Sequence, residues 1–482
     1  MVVRPGLLTD ATDIGGWLEH LLHLPGRTTE DVLEHLIRTA GTAIIFDQRD
    51  RPRPGNEVVV GLEPDCFWEL KDGVVTVRAS DGSITYTALA ATECLNSLRP
   101  LIERGTVAPP GYPPWVGGML GYIGYDAVSP AIDRSPASRD VLGLPDACFV
   151  RPTIFLRLSE ASDGVRVGLI IRAETSQARD ILALMAGALD RAASMPVRKQ
   201  QSHKASAATV RTSMSFADYE VKFEVAMGLI RAGGLQQVGL SRRFELDFEG
   251  SVVRLYSQLV QDNPSPLNFL MRLDNFSVVG TSPRMLAQVQ NGVVTTKPIG
   301  GTVPRPPDRR DDQLAAQRLC EDPKEVEEHL MLLRECVTCM IPLVERGHVD
   351  VVDKLRPEFF SHVIHLGSAV SGTLASGLGP IDVMAALSPA STVVGIPRAA
   401  AMQAVAALED DRRAIYGGCV GYFSAAGEAA MYIAIRTAVV KDHTLYVQAG
   451  AGIVAGSDVA SEYAEMQSKV NAILEAASAS RA

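Results

Sequence analysis

The chain has 482 residues, 46% of them hydrophobic and 21% charged, with 46 Lys and Arg against 56 Asp and Glu for a net charge of −10. At about 150 residues per domain this length gives two or three domains, or one large two-lobed unit with a substantial core. The acidic balance argues against a nucleic-acid scaffold, ordinary Gly and Pro contents exclude collagen-like and low-complexity classes, and no apolar run reaches the roughly 18 residues of a membrane span. Met1–Glu19 lacks the basic end and apolar stretch of a signal peptide, so the expectation is a soluble, globular, cytoplasmic protein. The seven cysteines, an odd number spread from Cys66 to Cys419, read as reduced thiols.

In chain order, β-branched runs predict strands at Thr42–Phe46, Val74–Val77, Ile84–Ala88 and Val165–Ile171, followed by a helix over Gln177–Ala193. Ser194–Ser215 is polar, basic and poor in large apolar residues, so it reads as a linker at 196–214 between an N-terminal part, 1–195, and a C-terminal part, 215–477. Beyond it, Phe216–Ala232 reads as a helix ended by Gly233-Gly234. Strands are expected at Phe269–Leu273 and Ser277–Gly280 around a turn at Asp274-Asn275, and long helices at Asp322–Arg346 and Ser457–Ala477. Both parts mix α and β without regular alternation, which predicts an α+β fold rather than a doubly wound sheet.

Two acidic pairs stand out. Glu325 and Glu328, and Glu462 and Glu465, are each three residues apart, so each long helix presents two carboxylates on one face. Four hard oxygen donors suit Mg²⁺; either pair alone reads rather as a solvated acidic face. The run Gln448–Val454 follows a strand, and its Gly450-Ala451-Gly452 amides suit a carboxylate or phosphate, or else a tight bulge. Arg436 lies in an apolar strand and needs an anionic partner, whether a buried acid or a ligand carboxylate. His362 and His365 point to opposite faces if their segment is a strand, so one of them can face a cavity as an acid–base group. Cys336 and Cys339 have CxxC spacing but no second half to complete a zinc site, and read as small apolar residues of a helix.

These pieces lie within blocks that together resemble the chorismate-utilising enzymes, most closely component I of anthranilate synthase, with aminodeoxychorismate synthase component I next. The blocks are Gly117–Asp126, Leu142–Asp146, Ile230–Gly233, Leu240–Phe244, Asn263–Pro266, Pro298–Thr302, Glu328–Met331, Ser361–Leu366, Tyr416–Ser424, Ile433–Thr437 and Gln448–Ile453. The resemblance implies a two-lobed β-sandwich with flanking helices, holding chorismate beside Mg²⁺. Carried over, it makes Glu325, Glu328, Glu462 and Glu465 the metal-site carboxylates. Arg436, Tyr416, the amides of Gly450, Ala451 and Gly452, Lys469, Gly301 and Thr302 become substrate-binding groups. Thr392 matches the Thr before the family's Gly-x-Pro motif, and His365 the His linked to pyruvate elimination. Gln237 stands where members that add water carry a Lys base and ammonia-using members carry Gln. Water must lose a proton to attack, whereas ammonia arrives as a competent nucleophile. Gly300 replaces the Lys of aminodeoxychorismate synthases, which further favours ammonia attack at C2.

The chain also departs from the family. The Ser-Pro-Glu block, whose Glu is the acid for loss of the 4-hydroxyl, reads Ser282-Pro283-Arg284, and an Arg is a poor proton donor. Arg334–Cys339, Pro397-Arg398 and Ala430-Met431-Tyr432 replace other charged or polar family blocks, and Ile44–Asp47 and Asn263–Asn268 lack the tryptophan feedback signatures. The leading expectation is a Mg²⁺-dependent aminating synthase of the anthranilate or 2-amino-2-deoxyisochorismate type in a dedicated secondary-metabolite pathway. Its ammonia would come from a separate glutamine amidotransferase subunit or as free ammonia; neither nucleic acid nor membrane is an expected partner, and a homo-oligomer is left open. The alternatives are a repurposed member acting on another enolpyruvyl or cyclohexadiene compound, with Arg284 on an extra anion, and a degenerate ligand-binding subunit.

Overall fold

The computed structural model describes residues 11–49, 57–128, 138–174, 178–194, 209–306, 308–360 and 363–480, the side chains of 91–92 and 190–194 excepted. Residues 1–10 of the opening segment, 196–208 of the expected linker, and His362 lie outside the described residues.

The strand Ala43–Gln48 shows how the layers arise. It is buried on both faces, and successive side chains of a strand point to opposite faces. Ala43 and Ile45 enter a core shared with the helices Thr29–Thr39, Phe216–Arg231, Val252–Asp262 and Val459–Ala479. Ile44 and Phe46 enter a different core, built from strands and loops and centred on Trp17, Trp115, Phe155 and Phe269. The same alternation recurs at Met119–Ile123, where Leu120 and Tyr122 join the aromatic core while Met119 and Ile123 join a third core. That third core includes residues of the helices Pro323–Met340 and Pro380–Leu387. Sheet therefore packs on sheet, with helices on the outer faces, which is the α+β sandwich the sequence predicts.

Among the described residues, 23 strands form one hydrogen-bonded network, and every ladder between them is antiparallel. Leu267–Arg272 pairs with Ala43–Gln48, and Cys419–Phe423 pairs with Met119–Ile123, so strands from before and after residue 200 share ladders. The end of the expected linker is itself a short strand, Arg211–Thr212, paired with Phe244 and Glu245. No helix among the described residues is long and apolar enough to cross a membrane.

The two long helices form where their acidic pairs were expected, with altered ends. The first runs Pro323–Met340 rather than to Arg346. Asp322 caps it by accepting from the amides of Lys324 and Glu325, at 2.9 and 3.3 Å. Pro342 lacks an amide hydrogen and its ring would meet the preceding turn, so the chain passes into short 3-10 turns. The second helix, Val459–Ala479, is capped by Asp458. Phe216–Arg231 starts on a Ser215–Asp218 capping box, and Gly233, at φ +80°, follows its end.

Candidate active site

The acidic helix Pro323–Met340 packs on the strand Ile299–Pro304, which pairs with the strand Val363–Thr373. Gly301, at φ +74°, turns the backbone so that consecutive amides face the helix. The Thr302 amide donates to Glu325 Oε2 at 2.7 Å, and the Gly301 amide favours the ionised form of Glu328. A Cβ on Gly301 would stand 2.6 Å from the Glu325 carbonyl, so the approach depends on glycine. A Cβ on Gly300 would stand 2.2 Å from Leu332 Cδ1, and a lysine there would have to displace that side chain. His329 is fully buried beneath: its Nδ1 donates to the Gly300 carbonyl at 3.1 Å, leaving Nε2 to accept from Ser368 Oγ at 2.7 Å.

Across the strands, Thr302 pairs with His365 and His365 with Glu358, which sets the three in one row. Thr302 Oγ1 lies 2.8 Å from His365 Nδ1. Burial, then the charge of Arg284, hold the imidazole down at about 3, with Arg436 and Lys469 adding to the effect. Glu358 occupies space over Gly367, where an added Cβ would be 2.4 Å from its Oε1. Burial raises its carboxyl above the ordinary range, while Lys297 and Arg284 pull it back.

A second wall comes from the strand Thr444–Ile453, which pairs with Gln237–Asp247. Gly450 lies against Tyr416, whose hydroxyl would stand 2.8 Å from an added Cβ; burial pushes the phenol up to about 12 and the Gly450 amide opposes this. Gly452 leaves room for Gln237, whose Nε2 would be 2.3 Å from a Cβ. Gln237 Oε1 and Thr392 Oγ1 are buried without a hydrogen-bond partner. Two orphaned polar atoms of this kind are costly unless a ligand or water meets them. Lys469 donates to the Gly450 carbonyl at 2.8 Å and pairs with Glu465 at 2.6 Å. Behind Tyr416, the buried Arg413 pairs with Glu409 at 2.6 Å and donates to the Gly239 carbonyl at 2.6 Å, fixing the strand on which Gln237 sits.

The third wall is the junction around Arg284 and Arg436. The Ile433 amide donates to the Arg284 carbonyl at 2.9 Å, and the Thr281 amide to the Arg436 carbonyl at 3.2 Å. Burial and then Arg436 lower Arg284 to about 10, with Glu328, Glu358 and Tyr416 acting in the opposite direction; burial lowers Arg436 as well. Glu335, an acid of the neighbouring helix, accepts from the Arg398 amide at 3.3 Å and from Ser391 Oγ at 3.4 Å.

Among the described residues no group of three or more His, Cys, Asp or Glu side chains is gathered for one metal ion. Glu465 is committed to Lys469, and Glu325 to the Thr302 amide. Glu328 and Glu462 are both raised, chiefly by burial; Glu325 adds to the first, Glu465 and Glu328 to the second. Glu462 also accepts from Ser457 Oγ at 2.7 Å. Half-buried carboxylates from two helices that repel each other across a shared space fit a hard divalent cation that keeps several of its own waters.

The structure thus gathers His365, Arg284, Tyr416, Glu328 and Glu462 into one electrostatically coupled region, with Arg436 and Lys469 acting on its imidazole. Gln237, and the short helix Ser391–Val394 that carries Thr392, lie against the strand of Gly450–Gly452. Glu358, Lys297, Glu409 and Arg413 were not foreseen. Glu358 becomes visible only through its register with His365, which depends on where the intervening turn falls. Cys336 and Cys339 lie in the acidic helix, and burial raises both thiols, Cys336 to about 12.

Comparison with known proteins bears on the family and the fold. The family model described as chorismate binding enzyme matches residues 63–475. Anthranilate synthase component 1 of Cereibacter sphaeroides is 36% identical over 434 residues, covering 88% of this chain and 86% of that protein. Its counterpart in Thermus thermophilus is 34% identical over 448 residues, covering 92% and 93%. The crystal structure of anthranilate synthase component I from Streptococcus pneumoniae superposes with a TM-score of 0.74 at 28% identity, covering 88% of this chain and 93% of that one. The menaquinone-specific isochorismate synthase of Escherichia coli shares the fold at a TM-score of 0.69 and 19% identity, over 98% and 97% of the two chains. The chain belongs to the chorismate-binding enzyme family and is an enzyme of the anthranilate synthase component I type.

Proposed function

We propose that this enzyme adds ammonia to chorismate, or to a close analogue, as anthranilate or 2-amino-2-deoxyisochorismate synthases do. The observation that carries this reading is Gln237. It stands where a water-adding enzyme needs a base, and a carboxamide cannot deprotonate water. Its buried, unpartnered Oε1 supports a role as acceptor for an N–H of the incoming nucleophile.

In this reading, Arg436, Tyr416 and the Gly450–Gly452 backbone hold a substrate carboxylate, with Lys469 fixing the Gly450 carbonyl from behind. Ammonia forms a bond to C2, the ring double bonds shift, and the C4–oxygen bond breaks. The departing hydroxide takes a proton and leaves as water, while the new ammonium group returns one to the site. Because Arg284 stands in the family acid's place, the proton comes here from Glu358, whose carboxyl burial keeps above the ordinary range. His365, kept neutral first by burial and then by the cations around it, is the base we assign to the C2 proton when the enolpyruvyl group leaves as pyruvate. Mg²⁺ bound by Glu328 and Glu462, with Glu325 and Glu465 beside them, would supply Lewis-acid contact to a substrate carboxylate. Ammonia would arrive from a separate glutamine amidotransferase subunit, and the changed blocks around Arg284 fit a dedicated secondary-metabolite pathway.

The test is incubation of the pure protein with chorismate, Mg²⁺ and ammonium, followed by product mass. Anthranilate or the aminated cyclohexadiene is expected. Isochorismate or salicylate as the main product would reverse the assignment of Gln237.

A further inference from the structure

We propose that the outer face of the helix Phe216–Arg231 is a self-association surface, on which the same helix of a second copy of this chain packs antiparallel about a two-fold axis. The interface is independent of the reaction proposed above.

The helix buries Tyr219, Phe223, Ala226, Met227 and Ile230 against the core. On the opposite side Val221 is 67% exposed, Val225 49% and Leu229 40%. Side chains at this spacing stack along a helix face, so the three form one ridge, and the exposed Ala217, Gly228 and Ala232 lie along it. The other three helices on this core, Thr29–Thr39, Val252–Asp262 and Val459–Ala479, carry no exposed large apolar side chain among the described residues. Single exposed apolar residues are ordinary, whereas a contiguous ridge marks an interaction surface. A glycine inside a helix is unfavourable relative to alanine. Here a Cβ added at Gly228 would meet no atom within 4 Å, so its own fold leaves room for a side chain. What the glycine does provide is a hollow beside the ridge, into which a neighbouring helix can approach.

The flanking charges select a second copy as the occupant. One flank of the ridge carries Glu220 and Glu224 in its first half and Arg231 at its end. Glu224 and Arg231 are only loosely paired with each other, at 3.8 Å, and both side chains are largely exposed. On the other flank Lys222 is turned back to the Leu408 carbonyl and Asp410, at 2.5 and 2.8 Å, and Asp218 is held in the Ser215 cap. A two-fold axis at Val225 sets that side chain against its own copy and Val221 against Leu229 of the second copy. On the shared flank, Glu220 then falls within about 1.5 Å, one residue's rise, of Arg231 of the second copy along the axis. Symmetry repeats the ion pair, so the acidic start of each helix meets the basic end of the other. Parallel packing would instead set Glu220 on Glu220 and Arg231 on Arg231, and would align the helix dipoles unfavourably. The helix leads through Gly233-Gly234 into the strand begun by Gln237, so the interface lies beside the segment that delivers that residue to the site.

The test is analytical ultracentrifugation of the full chain from about 1 to about 100 µM, where a dimer is expected. Val225→Asp changes a solvent-facing position, so the far-ultraviolet circular dichroism should stay as in the wild type while the dimer dissociation constant rises by about 30-fold or more. Glu220→Arg and Arg231→Glu should each weaken the dimer by about fivefold. Combining the two reversals should recover most of that loss, because the charges again oppose each other across the two-fold axis. A protein that stays monomeric over the whole range would overturn the inference. Binding of a glutamine amidotransferase chain that Val225→Asp abolishes would then assign the face to that partner. A dimer indifferent to Val225→Asp, or a double reversal no tighter than the single ones, would equally overturn the antiparallel packing. None of these measurements uses turnover, so failure of the proposed amination would leave the interface standing.

Discussion

At the scale of the residue, the site is governed by what surrounds each charge. His365 shows this most directly. Its imidazole lies against Thr302 Oγ1 and senses three cations, and burial with those charges holds it at about 3. In the unfolded chain a histidine titrates near 6.5. The folded state therefore binds fewer protons between those values, so its stability is full above about pH 6.5 and falls as the pH drops toward 3. The loss reaches at most about 1.4 kcal/mol per pH unit, because partial exposure of the ring softens it. His365→Gln should accordingly unfold with a flatter dependence on pH between 6 and 4, as measured by urea denaturation. An unchanged slope would mean that the ring is solvated and titrates normally. The residues themselves marked Arg436, by its apolar setting, and both acidic pairs, by their spacing, whereas Gln237 and the choice of His365 over His362 rested on the family resemblance. The sequence left Glu358 and Arg413 unmarked, because their importance comes from partners far away in the chain: Arg413 hydrogen-bonds Gly239, 174 positions distant.

At the scale of the element, the helix Pro323–Met340 carries its acidic pair in the first two turns, so its start matters more than its length. Asp322 accepts from two orphan amides there and Pro323 presets the first helical position. Asp322→Ala should cost about 1 kcal/mol of stability and also loosen Glu325, which the Thr302 amide holds from the other side. Asp322→Asn should restore most of both. Thermal unfolding together with product formation measured with and without Mg²⁺ checks this; loss of stability without any loss of activity would separate the cap from the site. The start of this helix was legible from Asp-Pro followed by acidic residues. Its end was not, because amphipathic periodicity continues past Met340 and only the ring of Pro342 stops it. Strands such as Ile84–Ala88 were read to the residue, because β-branched runs bounded by turn residues leave little choice of register.

At the scale of the whole molecule, the reading of two parts joined by a linker meets a sheet network that runs through both. The change in composition at Ser194–Ser215 is real, but a linker in sequence does not prevent strands on either side of it from pairing. Phe46 packs edge-on against Trp115 and Phe269, with ring centroids 5.9 and 6.5 Å apart, so one aromatic core draws on residues 223 positions apart in the chain. Removing residues 1–195 would leave Leu267–Arg272 and Cys419–Phe423 each without one ladder partner, and would open the aromatic core to water. Unpaired apolar edges of that kind aggregate. The full chain should therefore melt in a single calorimetric transition whose van't Hoff and calorimetric enthalpies agree, and the fragment 215–482 expressed alone should be insoluble. Two resolved transitions, or a soluble fragment with a sharp melting curve of its own, would show that the C-terminal part has an independent core and that the shared ladders contribute little. Because Arg284 and Arg436 lie beside the strands that border this core, the same experiment reports how far the geometry of the site depends on the N-terminal part.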